Sequence, residues 1–150
     1  SRARRKMSYS FDANLLLYAS DESSEFHVRA KAFVIGRRED SDILCLTWPV
    51  LMAYQRIATH PSIFAKPMSA ETAWGNVQLL LKLPRTRVIQ ETASFALDYA
   101  EVAQSAGVYG NLVPDAHIAT ILRQHGVRRF YTADTDFKKF AFLEVVNPLA

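Results

Sequence analysis

Arg129-Phe130-Tyr131-Thr132-Ala133-Asp134-Thr135-Asp136-Phe137 is a short apolar run that breaks into two aspartates two positions apart. The run reads as a strand over 129–133. An acidic pair just past a strand serves little structural purpose, whereas two carboxylates in reach of each other can grip a divalent cation. Near the other end of the chain, Ser8-Tyr9-Ser10-Phe11-Asp12-Ala13-Asn14 is a second short strand, over 8–12, that also runs into an aspartate. In Leu112-Val113-Pro114-Asp115-Ala116-His117, a third aspartate stands where a helix opens behind proline.

Outward from these stretches the chain alternates. Helices are expected over 13–19 and 24–38, a strand over 43–47, and a helix from Pro49 to about Thr59, ended by His60-Pro61. Ser69 caps a helix that runs to 83, Arg87 to Gln90 is a strand, and 92–106 is a helix stopped at Gly107. A further helix runs from about 113 to Gly126, Phe137 to Phe140 forms a short one, and Leu143 to Val146 is the last strand. This alternation predicts a single α/β domain: a mainly parallel sheet of four to five strands with helices on both faces. Ligands of such sheets gather beyond the carboxyl ends of the strands. Asp12 and Asp134 lie there, and a crossover helix that precedes strand 129–133 must start there too, which adds Asp115.

Composition bounds the rest. The chain has 150 residues, 49% of them hydrophobic, enough for one domain with a core. No apolar run approaches the ~18–20 residues of a membrane span, so no membrane and a cytoplasmic location are expected. A single cysteine, Cys45, excludes an internal disulfide and a cysteine zinc site. Of 18 basic residues, Arg2, Arg4, Arg5 and Lys6 precede Met7, and residues 1–6 read as a tag or upstream remnant ahead of a domain over 7–150. From Met7 onward 14 basic residues face 15 acidic ones, so net charge gives no argument for nucleic acid.

Two like unit charges about 4 Å apart repel by roughly 4 kcal/mol at an effective dielectric of about 20. A carboxylate cluster therefore takes up protons or binds a cation. An oxygen-only ligand set, with no histidine pair at ligand spacing, suits Mg²⁺ or Mn²⁺. Each acid also has a structural explanation. Asp12 can serve a turn, Asp115 a helix dipole, and Asp134 with Asp136 a short cap. Three such coincidences at one edge are less economical than one metal site. Arg56 and Thr59 read as helix-end residues, His60, His117 and His125 as surface or capping groups, and Trp48 and Trp74 as core. Arg128-Arg129 and Lys138-Lys139 flank the acidic segment, where cations can hold an RNA backbone.

Together these stretches resemble a known family. Phe11-Asp12-Ala13-Asn14-Leu15-Leu16-Leu17-Tyr18-Ala19 is similar to the opening of PIN-domain proteins of the VapC toxin type. Arg56-Ile57-Ala58-Thr59-His60-Pro61, Leu112 to Ala119, Thr132 to Phe137 and Asn147-Pro148-Leu149 resemble its later motifs, in order. The resemblance implies a metal-dependent endoribonuclease, the toxin of a toxin–antitoxin pair, working as a homodimer on tRNA or another structured RNA and covered by a VapB-type antitoxin. It implies that Asp12, Asp115 and Asp134 hold Mg²⁺ or Mn²⁺, that Asp136 is an auxiliary acid of the same metal site, and that Asn14 and Thr132 orient carboxylates or water. One departure stands out: many relatives carry glutamate three residues before the motif arginine, where this chain has Ala53. The alternative is thus a catalytically weakened PIN-like module that binds RNA or antitoxin. An aspartyl-phosphate enzyme is disfavoured, because the position two after Asp12 is Asn14.

Overall fold

The computed structural model describes residues 6–150, so the reading of residues 1–6 as a remnant falls outside it but for Lys6. Five strands form one sheet: β1 (Ser8–Phe11), β2 (Ile43–Leu46), β3 (Thr86–Val88), β4 (Arg129–Tyr131) and β5 (Glu144–Val146). Six α-helices connect them: α1 (Ala13–Ala19), α2 (His27–Gly36), α3 (Trp48–Ala58), α4 (Ala70–Leu81), α5 (Phe95–Ala106) and α6 (Val113–Gln124). Short 3-10 helices cover Gly110–Leu112 and Thr135–Lys139. Spatial order is β3-β2-β1-β4-β5, and every pairing is parallel.

The three inner strands are buried on both faces, and Phe11, Leu44, Leu46 and Phe130 are almost inaccessible, while the edge strands β3 and β5 expose Arg87 and Glu144. Alternate residues feed opposite layers. Phe11 and Tyr131 meet Phe33 of α2 on one face, while Phe130 meets Phe137 on the other. Right-handed crossovers account for both layers. The chain steps from β1 to β3 in one direction, laying α1–α4 on one face, then returns to β4 with α5 and α6 on the other. Sequence direction reverses between β1 and β4. That switch point, beyond the strand ends, is where an open parallel sheet leaves a crevice.

Several boundaries move for identifiable reasons. The helix expected over 92–106 begins at Phe95, because residues 92–95 form a tight turn with Phe95 N–H on Thr92 O at 3.0 Å, and the first helical bond runs from Asp98 N–H to Ser94 O at 3.0 Å. Trp74 is not core but 38% exposed. Helix α4 buries Ala73, Val77 and Leu80, and Trp74 lies beside that stripe. Arg128 and Arg129 stand at the start of β4, on the edge opposite the aspartates, so only Lys138 and Lys139 flank the acids in space.

Candidate metal centre

Each acid arrives at the carboxyl edge by a local rule. Asp12 continues β1, donating its N–H to Tyr131 O at 2.9 Å, then caps α1 by accepting from Ala13 N at 2.7 Å. Thr132 continues β4, with its N–H on Val146 O at 3.0 Å. Asp134 caps the short 3-10 helix by accepting from Asp136 N at 2.8 Å, which turns both side chains toward the crevice. Asp115 lies in the first turn of α6 behind Pro114.

The polar neighbours knit these segments together. Thr132 Oγ1 donates to Asp12 Oδ2 at 2.9 Å and accepts from Asp134 N at 2.9 Å. Asn14 Nδ2 reaches Thr132 Oγ1 at 3.1 Å and Asp12 Oδ2 at 3.5 Å, while its Oδ1 accepts from Ala133 N at 3.5 Å. Thr132 is 1% exposed, so this link between β1 and β4 is shielded from solvent. Asn14 and Thr132 thus fix the carboxylates that the sequence singled out.

One carboxylate oxygen from each of Asp115, Asp134 and Asp136 lies within 4.8 Å of the other two. Asp12 stands beside this trio with its own oxygens engaged by Ala13 and Thr132. The tightest set therefore includes Asp136, which the sequence suggested only as auxiliary. Crowding is visible in the acid–base behaviour. Asp115 is pushed up to about 7 by burial, then by the charges of Asp12, Asp134 and Asp136. Burial also raises Asp12, against the lowering effect of its bonds from Thr132 and Ala13. A carboxyl that resists ionisation in such company accepts either a proton or a cation, and an all-oxygen donor set fits a hard divalent ion.

The residues given structural readings behave accordingly. Thr59 Oγ1 donates to Gln55 O at 2.8 Å, closing the end of α3. His117 turns from Asp115 to Glu91 Oε2 at 3.3 Å, and His125 bonds Gln90 O at 2.7 Å. Ala53 is half-buried against the core. The sequence reading missed Thr47, which follows β2 at the same edge, is 0% exposed, and has no partner for its hydroxyl. Its strand-end position was visible, but its level with Asp12 needed the register.

Residues 9–143 match the PIN domain family. Ribonuclease VapC48 of Mycobacterium tuberculosis is 34% identical over 144 residues, spanning 96% of this chain and 99% of that protein. Ribonuclease VapC37 of the same organism is 32% identical over 129 residues, 86% of this chain and 89% of that protein. Among solved structures, Mycobacterium tuberculosis VapC20, described as a sarcin-ricin loop cleaving toxin, gives a TM-score of 0.65 at 17% identity, covering 91% of this chain and 98% of that one. VapBC2 from Rickettsia felis, bound to a promoter DNA fragment, gives 0.64 at 18% identity, covering 94% and 98%. These two likenesses speak for the fold. With a match over 9–143 and 34% identity along 96% of its length, the chain belongs to the PIN-domain family, among the VapC-type proteins.

Proposed function

We propose that the protein is a Mg²⁺- or Mn²⁺-dependent endoribonuclease, the toxin of a toxin–antitoxin pair, whose metal site is formed by Asp12, Asp115, Asp134 and Asp136. The observation that carries this is the meeting of Asp115, Asp134 and Asp136 within 4.8 Å, brought from α6 and the β4–β5 connection. A bound divalent ion would activate water and offset the charge that develops in phosphodiester hydrolysis. The chain's own residues do the rest. Thr132 and Asn14 hold Asp12 at the switch point. Asp115 gives up its proton only at about neutral pH or in exchange for a cation. Lys138 and Lys139, exposed beside Asp136, are placed to contact an RNA backbone.

The relatives are named ribonucleases, and one structural neighbour is described as cleaving the sarcin-ricin loop. These names support a structured RNA as substrate here, tRNA among them. A neighbour solved as a VapBC complex supports a VapB-type antitoxin as partner. A groove of about 480 Å³ between α1, α2, α3 and α4 is a fitting seat for it, with apolar Leu16, Ile35, Leu79 and Leu83 and the cations Lys31 and Arg38. Leu79 is 66% exposed there. Leu79→Asp should relieve inhibition by the antitoxin at least tenfold while leaving cleavage unchanged, about the cost of removing one apolar anchor. A homodimer in the cytoplasm completes the reading. Among the described residues no helix is long and apolar enough to cross a membrane.

The test is cleavage of total tRNA in Mg²⁺, in Mn²⁺ and in EDTA, beside Asp12→Asn. Metal-dependent cutting lost in the variant is expected. Equal cutting by both would mean that the four acids are not the nuclease site.

A further inference from the structure

Register places one more hydroxyl in line with Asp12, buried at the carboxyl edge of the sheet. Strand β1 pairs with β2 as Ser8↔Ile43 and Tyr9↔Leu44, and with β4 as Tyr9↔Arg129 through Phe11↔Tyr131. Continued by one residue past the strand ends, the same offsets set Thr47, Asp12 and Thr132 in one row. Both Asp12 (φ −88°, ψ 160°) and Thr47 (φ −115°, ψ 144°) keep extended backbone, so the pleat carries on through them. Laterally paired residues of a parallel sheet point to the same face. Thr47 therefore shares a face with Asp12 and Thr132, the face covered by α6 with Asp115. Helix α3, which starts behind Thr47, also contacts α6.

The two threonines flanking Asp12 differ in one respect. Thr132 Oγ1 is spoken for by Asp12, Asp134 and Asn14. Thr47 is 0% exposed, makes no capping bond to α3, and its Oγ1 has no partner. A buried hydroxyl without a partner costs about 1–3 kcal/mol, so valine would serve better at a purely structural site. On the side of the crevice that Thr47 borders, α3 offers Ala53 and no acid.

Resting on the metal-site reading above, we propose that Thr47 is a positioning residue of that site: its hydroxyl binds the water shell of the divalent ion beside Asp12. Groups that hydrogen-bond around bound metal in this way are worth about 10–100-fold in affinity when removed.

The test is Mn²⁺ binding to the full chain, followed by electron paramagnetic resonance without RNA. Thr47→Val keeps the shape and removes the hydroxyl, Thr47→Ser restores it, and Asp12→Asn is the control. Expected are a roughly tenfold weaker Mn²⁺ affinity for Thr47→Val, near-parental affinity for Thr47→Ser, and an unfolding midpoint for Thr47→Val in EDTA at or above the parent's. Parental Mn²⁺ affinity in Thr47→Val would overturn the proposal, as would an equal loss in Thr47→Ser. If Asp12→Asn loses Mn²⁺ while Thr47→Val does not, only the role of Thr47 falls. If neither changes binding, the metal site itself is misassigned. Thr47→Ala repeats the comparison if the valine variant does not fold.

Discussion

The two ends of the same five-stranded sheet treat charge in opposite ways. At the amino edge, Arg37 stacks 4.0 Å from the Phe33 ring centre, pairs with Asp40 at 3.1 Å and donates to Phe33 O at 2.8 Å. Arg85 donates to Asp40 O and Arg38 O at 2.7 Å, Arg129 faces Glu144 at 3.6 Å, and Asp42 accepts from Met7 N. At the carboxyl edge four aspartates crowd together, and among the described residues no ion pair reaches any of them. These charges at the first edge find partners inside the chain, and such partnering serves stability. Those at the second accept hydrogen bonds but meet no cation among the described residues and repel one another, which makes sense if something from outside completes them.

Mutation should separate the two edges. Asp12→Asn, Asp115→Asn and Asp134→Asn should each lower RNA cleavage by about a thousandfold or more, with far-ultraviolet circular dichroism unchanged, since each removes a carboxylate from the proposed metal site. Full activity in any one would take that residue out of the site. At the opposite edge, Arg37→Ala should cost about 2 kcal/mol of stability in denaturant titration through lost packing and charge-assisted bonds, yet leave cleavage as it was. A drop in cleavage there would mean that the edges are coupled. Asp136→Asn should fall between, about tenfold in cleavage, because it contributes to the trio from an exposed position.

The contrast also marks what could be read from sequence. Each acid follows a strand or opens a helix within a few residues, so Asp12, Asp115 and Asp134 were placed at one edge by chain direction alone. The fold class followed from strand–helix alternation, and the all-parallel sheet agrees with it. Strand order was not legible, because strands of three or four residues carry too little pattern to choose neighbours. Thr47 needed the β1–β2 register, a tertiary fact. Trp74 was misread as core because helical spacing fixes a stripe only once Ala73, Val77 and Leu80 are known to be its members. Arg128 and Arg129 were misplaced for a simpler reason: a short strand separates them from Asp134, and it carries them to the far edge.

Asp115 gives the comparison its finest test, through pH. Its carboxyl is pushed up to about 7 in the folded protein, while in the unfolded chain it returns to the ordinary aspartate value of 3.8. Between those values the native state holds a proton that the unfolded state has lost. Metal-free stability therefore falls as pH rises through this window and levels off above it. Asp115→Asn removes the charge and should raise the unfolding midpoint in EDTA by a few degrees at about pH 8, but hardly at about pH 4. The gain stays small because the group is half solvated and screened. Added Mg²⁺ should stabilise the parent at the higher pH, where proton and cation no longer compete, and do much less for the variant. An equal gain at both pH values would trace the effect to packing of the amide. A gain confined to the higher pH, and erased by Mg²⁺ in the parent, would show that the carboxyl edge is held under repulsion that the amino edge never experiences.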